Sequence, residues 1–457
     1  MSVGVDTIAA VATAPGAGAL AVVRVSGPRA SDVLRALTPG LGDLPAPREA
    51  ALVELVDPVD GGPLDQAVAV RYESVASPTG EDLVELSCHG GWLVPSLVLQ
   101  ACLDAGARLA EAGEFTRRAY LNGKLDLVQA EAVLDLVNAR SRALHRAALG
   151  QLERGLSERV ADLRRALVRL EALLAHHLDF PEEDDAPVPL DVIVTEAGEL
   201  AARVAALLAT APEGELLREG ALTVLAGLPN AGKSSLYNAL LGEERAIVTE
   251  EPGTTRDALE AVVQMGGYPF RLVDTAGLRD TADRVERMGV EVARRYLARA
   301  DLVLLCAEAG ATLSDGERRF LRELDGVPVV WVRTKADAAP PSGEAPGDVA
   351  FAGTVAVSVR TGEGLDALRS LLPRLVYAGL VESGVDVPVV TRRRHARALE
   401  RARSEVEAFG RALGEGVPPE VAAAHLRSAE TALEELVGVV SVEDVLDAVF
   451  REFCVGK

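Results

Sequence analysis

The sequence predicts a multidomain protein: an α+β N-terminal domain, an all-α helical domain, and a doubly wound α/β domain inserted into the helical one. Three observations carry that prediction. At 457 residues the chain is long for one hydrophobic core, so two or three domains are expected. Its texture changes from short β-rich runs to helical periodicity near Phe115, and from about residue 217 strand and helix alternate as a parallel sheet requires. The stretch from about Val389 to Phe453 is helical again and too short for a good core of its own. Packing it on the earlier helical block is the economical solution, and it brings the two ends of the α/β segment together. The expected domains are residues 1–120, 121–214, 217–377 and 380–457, the second and fourth being two parts of the helical domain.

In the N-terminal domain the runs DTIAAVAT, ALAVVRVSG, AALVELVD, AVAVRYE and DLVELSCHGG read as strands separated by Pro/Gly turns. A helix from about Trp92 to Ala105 places Leu93, Leu97, Val98 and Cys102 at helical spacing. From Phe115 to about Leu208, apolar residues recur every three or four positions among Ala, Leu, Arg and Glu. The clear break is DFPEEDDAPVPLD, Asp179 to Asp191, with three prolines after Phe180 and acids from Glu182 to Asp185. Its spacing fits no EF-hand frame, so a solvated interhelical loop is expected.

Hydrophobic residues at 49% and charged residues at 25% describe an ordinary soluble globular protein. No apolar run approaches the ~18 residues of a membrane span. The N-terminal segment lacks a basic region, carries Asp6 and is interrupted by Pro15 and Gly16, so no signal peptide is expected. Cys88, Cys102, Cys306 and Cys454 show neither paired nor metal-type spacing, which fits a reduced, cytoplasmic setting. A net charge of -22 argues against a general nucleic-acid coat but leaves room for a local patch. Arg392, Arg393, Arg394, Arg397, Arg401 and Arg403 read equally as such a patch and as a solvated helix start. Of 47 basic residues only four are lysines, Lys124, Lys233, Lys335 and Lys457. In a chain that uses arginine wherever either cation serves, each surviving lysine is a candidate for a role that needs a compact ammonium.

The stretch Leu222 to Leu241, LTVLAGLPNAGKSSLYNALL, carries the chemistry. An apolar strand leads into Gly227, Gly232, Lys233 and Ser234, which fill the frame G-x-x-x-x-G-K-[ST], and a helix follows. Glycines let backbone N–H groups turn toward phosphate oxygens, Lys233 bridges the terminal phosphates, and the Ser234 hydroxyl ligates Mg2+. Downstream, Gly253-Thr254-Thr255-Arg256-Asp257 offers Thr255 as a second Mg2+ hydroxyl. A strand Pro269 to Val273 leads to Asp274-Thr275-Ala276-Gly277, where Asp274 holds the Mg2+ water shell and the glycine N–H senses the γ-phosphate. Strand Val327 to Val332 ends in Thr334-Lys335-Ala336-Asp337, whose carboxylate suits the paired N–H donors of guanine and whose Lys335 stem lies along the base. Four elements in this order predict a Ras-like P-loop G domain that binds and hydrolyses GTP. Nucleotide contacts are expected from Asn230, Ala231, Gly232, Lys233, Ser234 and Ser235, and from Thr249, Glu250, Glu251, Pro252, Gly253, Thr254 and Thr255. Further contacts are expected from Asp274, Thr275, Ala276 and Gly277, and from Thr334, Lys335, Asp337, Ser358, Val359 and Arg360. Thr334 replaces the usual Asn, which predicts GTP held less tightly, and Ser358-Val359-Arg360 only loosely resembles the usual turn. Ras-like enzymes place a water-positioning glutamine where this chain has Leu278, so another group must orient water and a cation must meet the developing charge.

The segments DTIAAVATAPG, GEDLVELSCHGG, GEFTRRAYLNGKLDLVQAEAV, LDFPEED, GLPNAGKSSL, EPGTTRD, DTAGLRDTADRVERMG and FCVGK together resemble the bacterial tRNA-modification GTPase family known as MnmE or TrmE, over nearly the full length. The resemblance implies an N-terminal domain similar to tetrahydrofolate-binding modules that also drives homodimerisation. It implies contacts to a tetrahydrofolate derivative, 5-formyl- or methylene-tetrahydrofolate, from Arg24, Glu81, Lys124 and Lys457. It implies K+ in place of an arginine finger, held by Asn230 and by the carbonyls of Thr249, Glu251 and Thr254 when two G domains meet. Glu286 then matches the water-orienting glutamate, so that the catalytic set is Glu286, Asn230 and Lys233. By themselves Arg24 reads as a surface strand residue and Glu286 as a solvated helix residue. Cys454 is implied in modification and reads equally as a small buried hydrophobe.

The implied reaction adds a carboxymethylaminomethyl- or aminomethyl-type group to carbon 5 of the wobble uridine of certain tRNAs. It uses a folate one-carbon unit, with an amine, in a heterotetramer with the flavoprotein MnmG (GidA) and with no membrane involvement. Ala17, where many relatives have arginine, departs from the pattern along with Thr334 and Val359. Two other readings share the G domain: an assembly GTPase whose N-terminal domain is an interaction module, and an ATP-using P-loop enzyme. The N-terminal segments and FCVGK speak against the first, and Asp337 with Lys335 against the second.

Overall fold

Period-two alternation in the N-terminal runs puts every second side chain into a core, and each run becomes a strand. The computed structural model describes residues 6–179, 188–243, 260–274, 295–324, 326–340, 350–384, 388–439 and 443–457. The chain divides into two units, Met1–Leu134 with Glu434–Lys457, and Asp135–Leu433.

In the first unit β1 (Ile8–Val11), β2 (Leu20–Ser26), β3 (Ala50–Val56), β4 (Pro63–Tyr72), β5 (Leu83–His89) and β6 (Arg108–Leu109) form one sheet in the order β3-β4-β5-β2-β1-β6. Neighbours are antiparallel except β1 and β6, which are parallel. Helices α1 (Ala30–Leu37) and α2 (Val94–Asp104) contribute Val33, Leu34, Val98 and Cys102 to a core with Val23, Val25, Val84, Leu86 and Cys88. Alternation along β2 sends Ala21, Val23 and Val25 to this core and leaves Arg24 and Ser26 on the opposite face. Near β1, Ile8 and Ala10 pack with Ala110 and with Phe115 of α3 (Glu114–Leu121) in a smaller core.

The last residues of the chain belong to this unit. Leu127, Ala130 and Leu134 of α4 (Leu127–Asn138) bury Leu446, Val449 and Phe450 of the helix Glu443–Arg451, together with Phe453. Beyond it, Val455 bridges Ala112 in antiparallel fashion, and the Gly113 amide donates to the Cys454 carbonyl at 3.3 Å. A Cβ on Gly456 would lie 2.3 Å from the Val11 carbonyl oxygen, so only glycine allows this approach. Residues 127–134 fall within the expected first helical part, 121–214, so the last helix packs on that block, although both segments belong to the first unit. The apolar stripe of the last helix is matched by residues 127–134, and the first unit extends past residue 120.

In the second unit α5 (Arg142–Leu152), α6 (Gly155–Asp179), α7 (Leu190–Leu208) and α8 (Ala211–Glu219) precede a sheet. Along α6 the buried positions are Leu156, Val160, Leu163, Leu167, Leu170 and Leu174, the three-and-four spacing of a one-sided helix. The sheet comprises β7 (Ala221–Ala226), β8 (Glu260–Met265), β9 (Tyr268–Asp274), β10 (Leu302–Glu308), β11 (Val329–Thr334) and β12 (Gly353–Ala356), ordered β12-β11-β10-β7-β9-β8. All pairings are parallel except β8 with β9, a hairpin the sequence pattern did not predict. Its helices are α9 (Lys233–Glu243), α10 (Asp315–Glu323), α11 (Leu365–Val376) and α12 (Ala378–Ser383). The later helix α13 (Arg393–Gly414) packs along α7, burying Leu399, Ala402, Val406 and Phe409, so a helix from before the sheet and one from after it are neighbours.

The break expected at 179–191 falls between α6 and α7, with residues 180–187 outside the described residues. Among the six clustered arginines, several are engaged inside this unit, and Arg392 is neither part of a basic patch nor solvated. Arg392 is buried against Asp135 (Nη2–Oδ1 2.6 Å), Arg393 pairs with Glu215 at 3.0 Å, and Arg403 pairs with Glu400 at 2.7 Å. Among the described residues no helix is long and apolar enough to cross a membrane.

Candidate nucleotide-binding site

Every residue of β7 is buried, as a central parallel strand requires, and the strand delivers the chain into the loop before α9. Gly227 opens that loop at φ +139, and a Cβ there would sit 2.2 Å from the carbonyl oxygen of Cys306 on β10. Asn230 adopts the left-handed conformation, φ 64, which asparagine tolerates better than most residues, and its side chain is exposed. Lys233, only 5% exposed, donates from Nζ to the carbonyls of Gly227 (3.0 Å) and Leu228 (2.8 Å). An ammonium held by the loop beside a helix N-terminus is an arrangement that suits a phosphate group.

One residue on, the Ser234 hydroxyl donates to Asp274 Oδ2 at 2.7 Å, joining the start of α9 to the end of β9. Two hard oxygen donors side by side fit Mg2+. Among the described residues no group of three or more His, Cys, Asp or Glu gathers around a metal position. Thr255, expected as a second hydroxyl ligand, lies outside the described residues.

The base loop follows β11. Thr334 is 2% exposed, and its hydroxyl lies 2.8 Å from the Ala231 carbonyl and 3.2 Å from that of Ala307. Far from being a bare departure from Asn, it ties the base loop to the phosphate loop, a role the sequence reading missed. Lys335, at φ 56, pairs its ammonium with Glu308. Asp337 Oδ1 accepts from the Ser358 hydroxyl at 2.7 Å, and Oδ2 pairs with Arg360 Nε at 2.8 Å. The Ser358 hydroxyl, with help from Arg360, holds the Asp337 carboxyl below the ordinary carboxylate range. An anchored, charged carboxylate of this kind accepts the two adjacent N–H donors of guanine. Ala231 is buried, whereas Ser235 and Val359 are exposed. Behind the loop, burial pushes the Cys306 thiol up to about 12, and Cys102 in the first unit likewise, so neither is a nucleophile.

Lys233, Ser234 and Asp274 thus form one subsite, and Thr334, Lys335, Asp337, Ser358 and Arg360 another. Thr249, Glu250, Glu251, Pro252, Gly253, Thr254, Thr255, Thr275, Ala276, Gly277, Leu278 and Glu286 lie outside the described residues. Of the expected K+ ligands, Asn230 alone lies within them.

The residues expected to meet folate gather in the first unit. Glu81 accepts from Arg118 Nη1 (3.0 Å to Oε2) and from the Ser26 hydroxyl (2.9 Å). Lys124 Nζ donates to the Val75 carbonyl at 2.6 Å, so both residues hold one loop, and Asn122 Nδ2 adds a bond to the Thr79 carbonyl at 2.8 Å. Arg24 lies on the same face of β2 as Ser26, with Nε 2.7 Å from Glu85 Oε1. Lys457 is partly buried in the tail beside β1, and Cys454 is exposed, which removes its reading as a buried hydrophobe. Arg118 was not expected. Its only sequence signal is a second arginine inside EFTRRAYL.

Residues 7–124 match the model of the GTP-binding protein TrmE N-terminus, and residues 127–454 that of the MnmE helical domain. The tRNA modification GTPase MnmE of Moorella thermoacetica is 43% identical over 461 residues, covering 99% of each chain. That of Heliobacterium modesticaldum is 42% identical over 470 residues, again 99% of each. With likeness running through both units, the phosphate and base loops are those of a GTP hydrolase, and the chain belongs to the MnmE family of tRNA modification GTPases.

Proposed function

We propose that this chain uses GTP hydrolysis to support modification of carbon 5 of the wobble uridine in certain tRNAs. The observation that carries the proposal is the extent of the likeness, 99% of the chain, the first unit included. An assembly GTPase or an ATP-using enzyme would share only the loops of the second unit.

In this reading Lys233 and the start of α9 bind the phosphates, Asp337 selects guanine, and Ser234 with Asp274 holds Mg2+ and its waters. Asn230 offers a side-chain oxygen to K+, which supplies the positive charge that an arginine would otherwise bring to the transition state. Glu286 orients the attacking water that Leu278 cannot. Arg24, Glu81 and Lys124, with Lys457 from the tail, bind a tetrahydrofolate derivative that supplies a one-carbon unit. Arginine and lysine suit its anionic tail, and a carboxylate suits its ring N–H groups. The chain works as a homodimer with the flavoprotein MnmG, and hydrolysis drives a conformational change rather than bond formation.

The test compares tRNA nucleosides from cells with and without the gene. Loss of the C5-substituted wobble uridine is the expected result, and an identical nucleoside profile overturns the proposal.

A further inference from the structure

Around Arg118 the first unit gathers three carboxylates and two guanidinium groups. Arg118 is 5% exposed, and its Nη1 donates to both Glu81 oxygens (3.2 and 3.0 Å) and to the Asp6 carbonyl (3.0 Å). Nη2 donates to Asp6 Oδ1 (2.8 Å) and Glu114 Oε1 (2.9 Å). Arg108 contacts the same Asp6 and Glu114, with Nε to Asp6 Oδ2 and Nη2 to Glu114 Oε1 both at 2.6 Å. Burial opposes charge on Asp6 and Glu114, and the bonds from Arg108 and Arg118 outweigh it, leaving both carboxyls below their ordinary range.

Formal charges in this cluster are three negative and two positive. Asp6 and Glu114 each meet both arginines, while among the described residues the Glu81 carboxylate meets Arg118 and the neutral Ser26 hydroxyl. The uncompensated negative charge therefore falls on Glu81. Arg118 Nη1, itself buried, is shared between the two Glu81 oxygens and so holds the carboxylate in place.

We propose that Arg118 is a positioning residue that presents Glu81 as an oriented, charged acceptor for a ligand edge bearing two adjacent N–H donors. The inference rests on the folate reading, since the 2-amino-4-oxopyrimidine edge of the folate ring is an edge of that kind. Arg118 makes no contact with the ligand itself. It acts through Glu81, whose Oε2 also accepts from the Ser26 hydroxyl.

The test is calorimetric titration of the full chain with 5-formyltetrahydrofolate, with thermal melting of every variant. Arg118→Gln should weaken binding about tenfold or more, because a charge-assisted contact loses its alignment. Arg118→Lys, which keeps the charge and loses the fork, should fall between that variant and wild type, and it carries the test if Arg118→Gln does not fold. A merely structural arginine would lower the melting temperature without sharing its effect with Glu81. The double variant Arg118→Gln/Glu81→Gln should therefore bind no worse than Glu81→Gln alone. Multiplicative losses, or unchanged affinity in both Arg118 variants, overturn the inference while the folate reading stands. If wild type binds no folate, the folate reading falls and the inference with it.

Discussion

The Thr334 hydroxyl and the Ala231 carbonyl, 2.8 Å apart in the buried interior of the second unit, join the loop that reads the base to the loop that holds the phosphates. Removing that hydroxyl takes the donor from the Ala231 carbonyl, at a cost of about 1–3 kcal/mol. Thr334→Val should weaken GDP and GTP binding about tenfold, and Thr334→Ser should keep most of the affinity. Titration with a fluorescent guanine nucleotide reads both, and equal affinity in wild type and the valine variant would remove the tether.

Asp337 should decide which base is bound. Asp337→Asn exchanges an acceptor for a donor, so GTP affinity should fall about 100-fold, two charge-assisted bonds being lost, while xanthosine triphosphate binding improves. A carboxyl held below its ordinary range keeps its contribution above that lowered value and loses it as pH falls through it. Guanine affinity should therefore hold as pH falls toward ~4, the ordinary carboxylate range. Ser358→Ala, which removes the hydroxyl chiefly responsible, should move the loss to higher pH. Coincident pH profiles for the two proteins would contradict this.

The proposal that Asn230 holds K+ predicts a potassium dependence. GTP hydrolysis should rise steeply in KCl and stay low in NaCl, and Asn230→Ala should abolish the difference while nucleotide binding survives. Equal rates of the wild-type protein in the two salts would end the proposal that K+ stands in for an arginine.

The pair Arg392–Asp135 tests the second unit's architecture. Both side chains are buried, 7% and 4% exposed, and Arg218 approaches the same Asp135 at 3.5 Å. Arg392→Ala should destabilise the unit by about 3–5 kcal/mol, because a buried carboxylate loses its main partner. Urea unfolding of the wild type and the variant measures this, and a change below about 1 kcal/mol would mean the pair is dispensable.

Much of this was legible in the sequence because its signals are local. The phosphate loop is a contiguous run, and most strands of the first unit are apolar, β-rich runs bounded by Pro/Gly turns. β6, a two-residue strand, has no such pattern, and β8 is recognisable only once its partner β9 is known. The missed roles depend on pairings between distant residues. Thr334 reads as a lapse from Asn until Ala231, 103 positions earlier, stands beside it. Arg392 reads as part of a basic patch until Asp135, 257 positions away, takes up its charge. Periodicity and motif spacing carry no information about such partners, whereas the sheet register and helix packing do.

The bridge between Ala112 and Val455 has a consequence for how the molecule is made. Ribosomes add about 5–20 residues per second, and domains fold in the order in which they emerge. All of Asp135–Leu433 is therefore translated before Val455 exists to meet Ala112 or Gly456 to settle against Val11. The unit that begins first is finished last, and through most of synthesis Leu127, Ala130 and Leu134 wait without the helix that covers them. That interval is when a nascent chain of this kind most needs a chaperone.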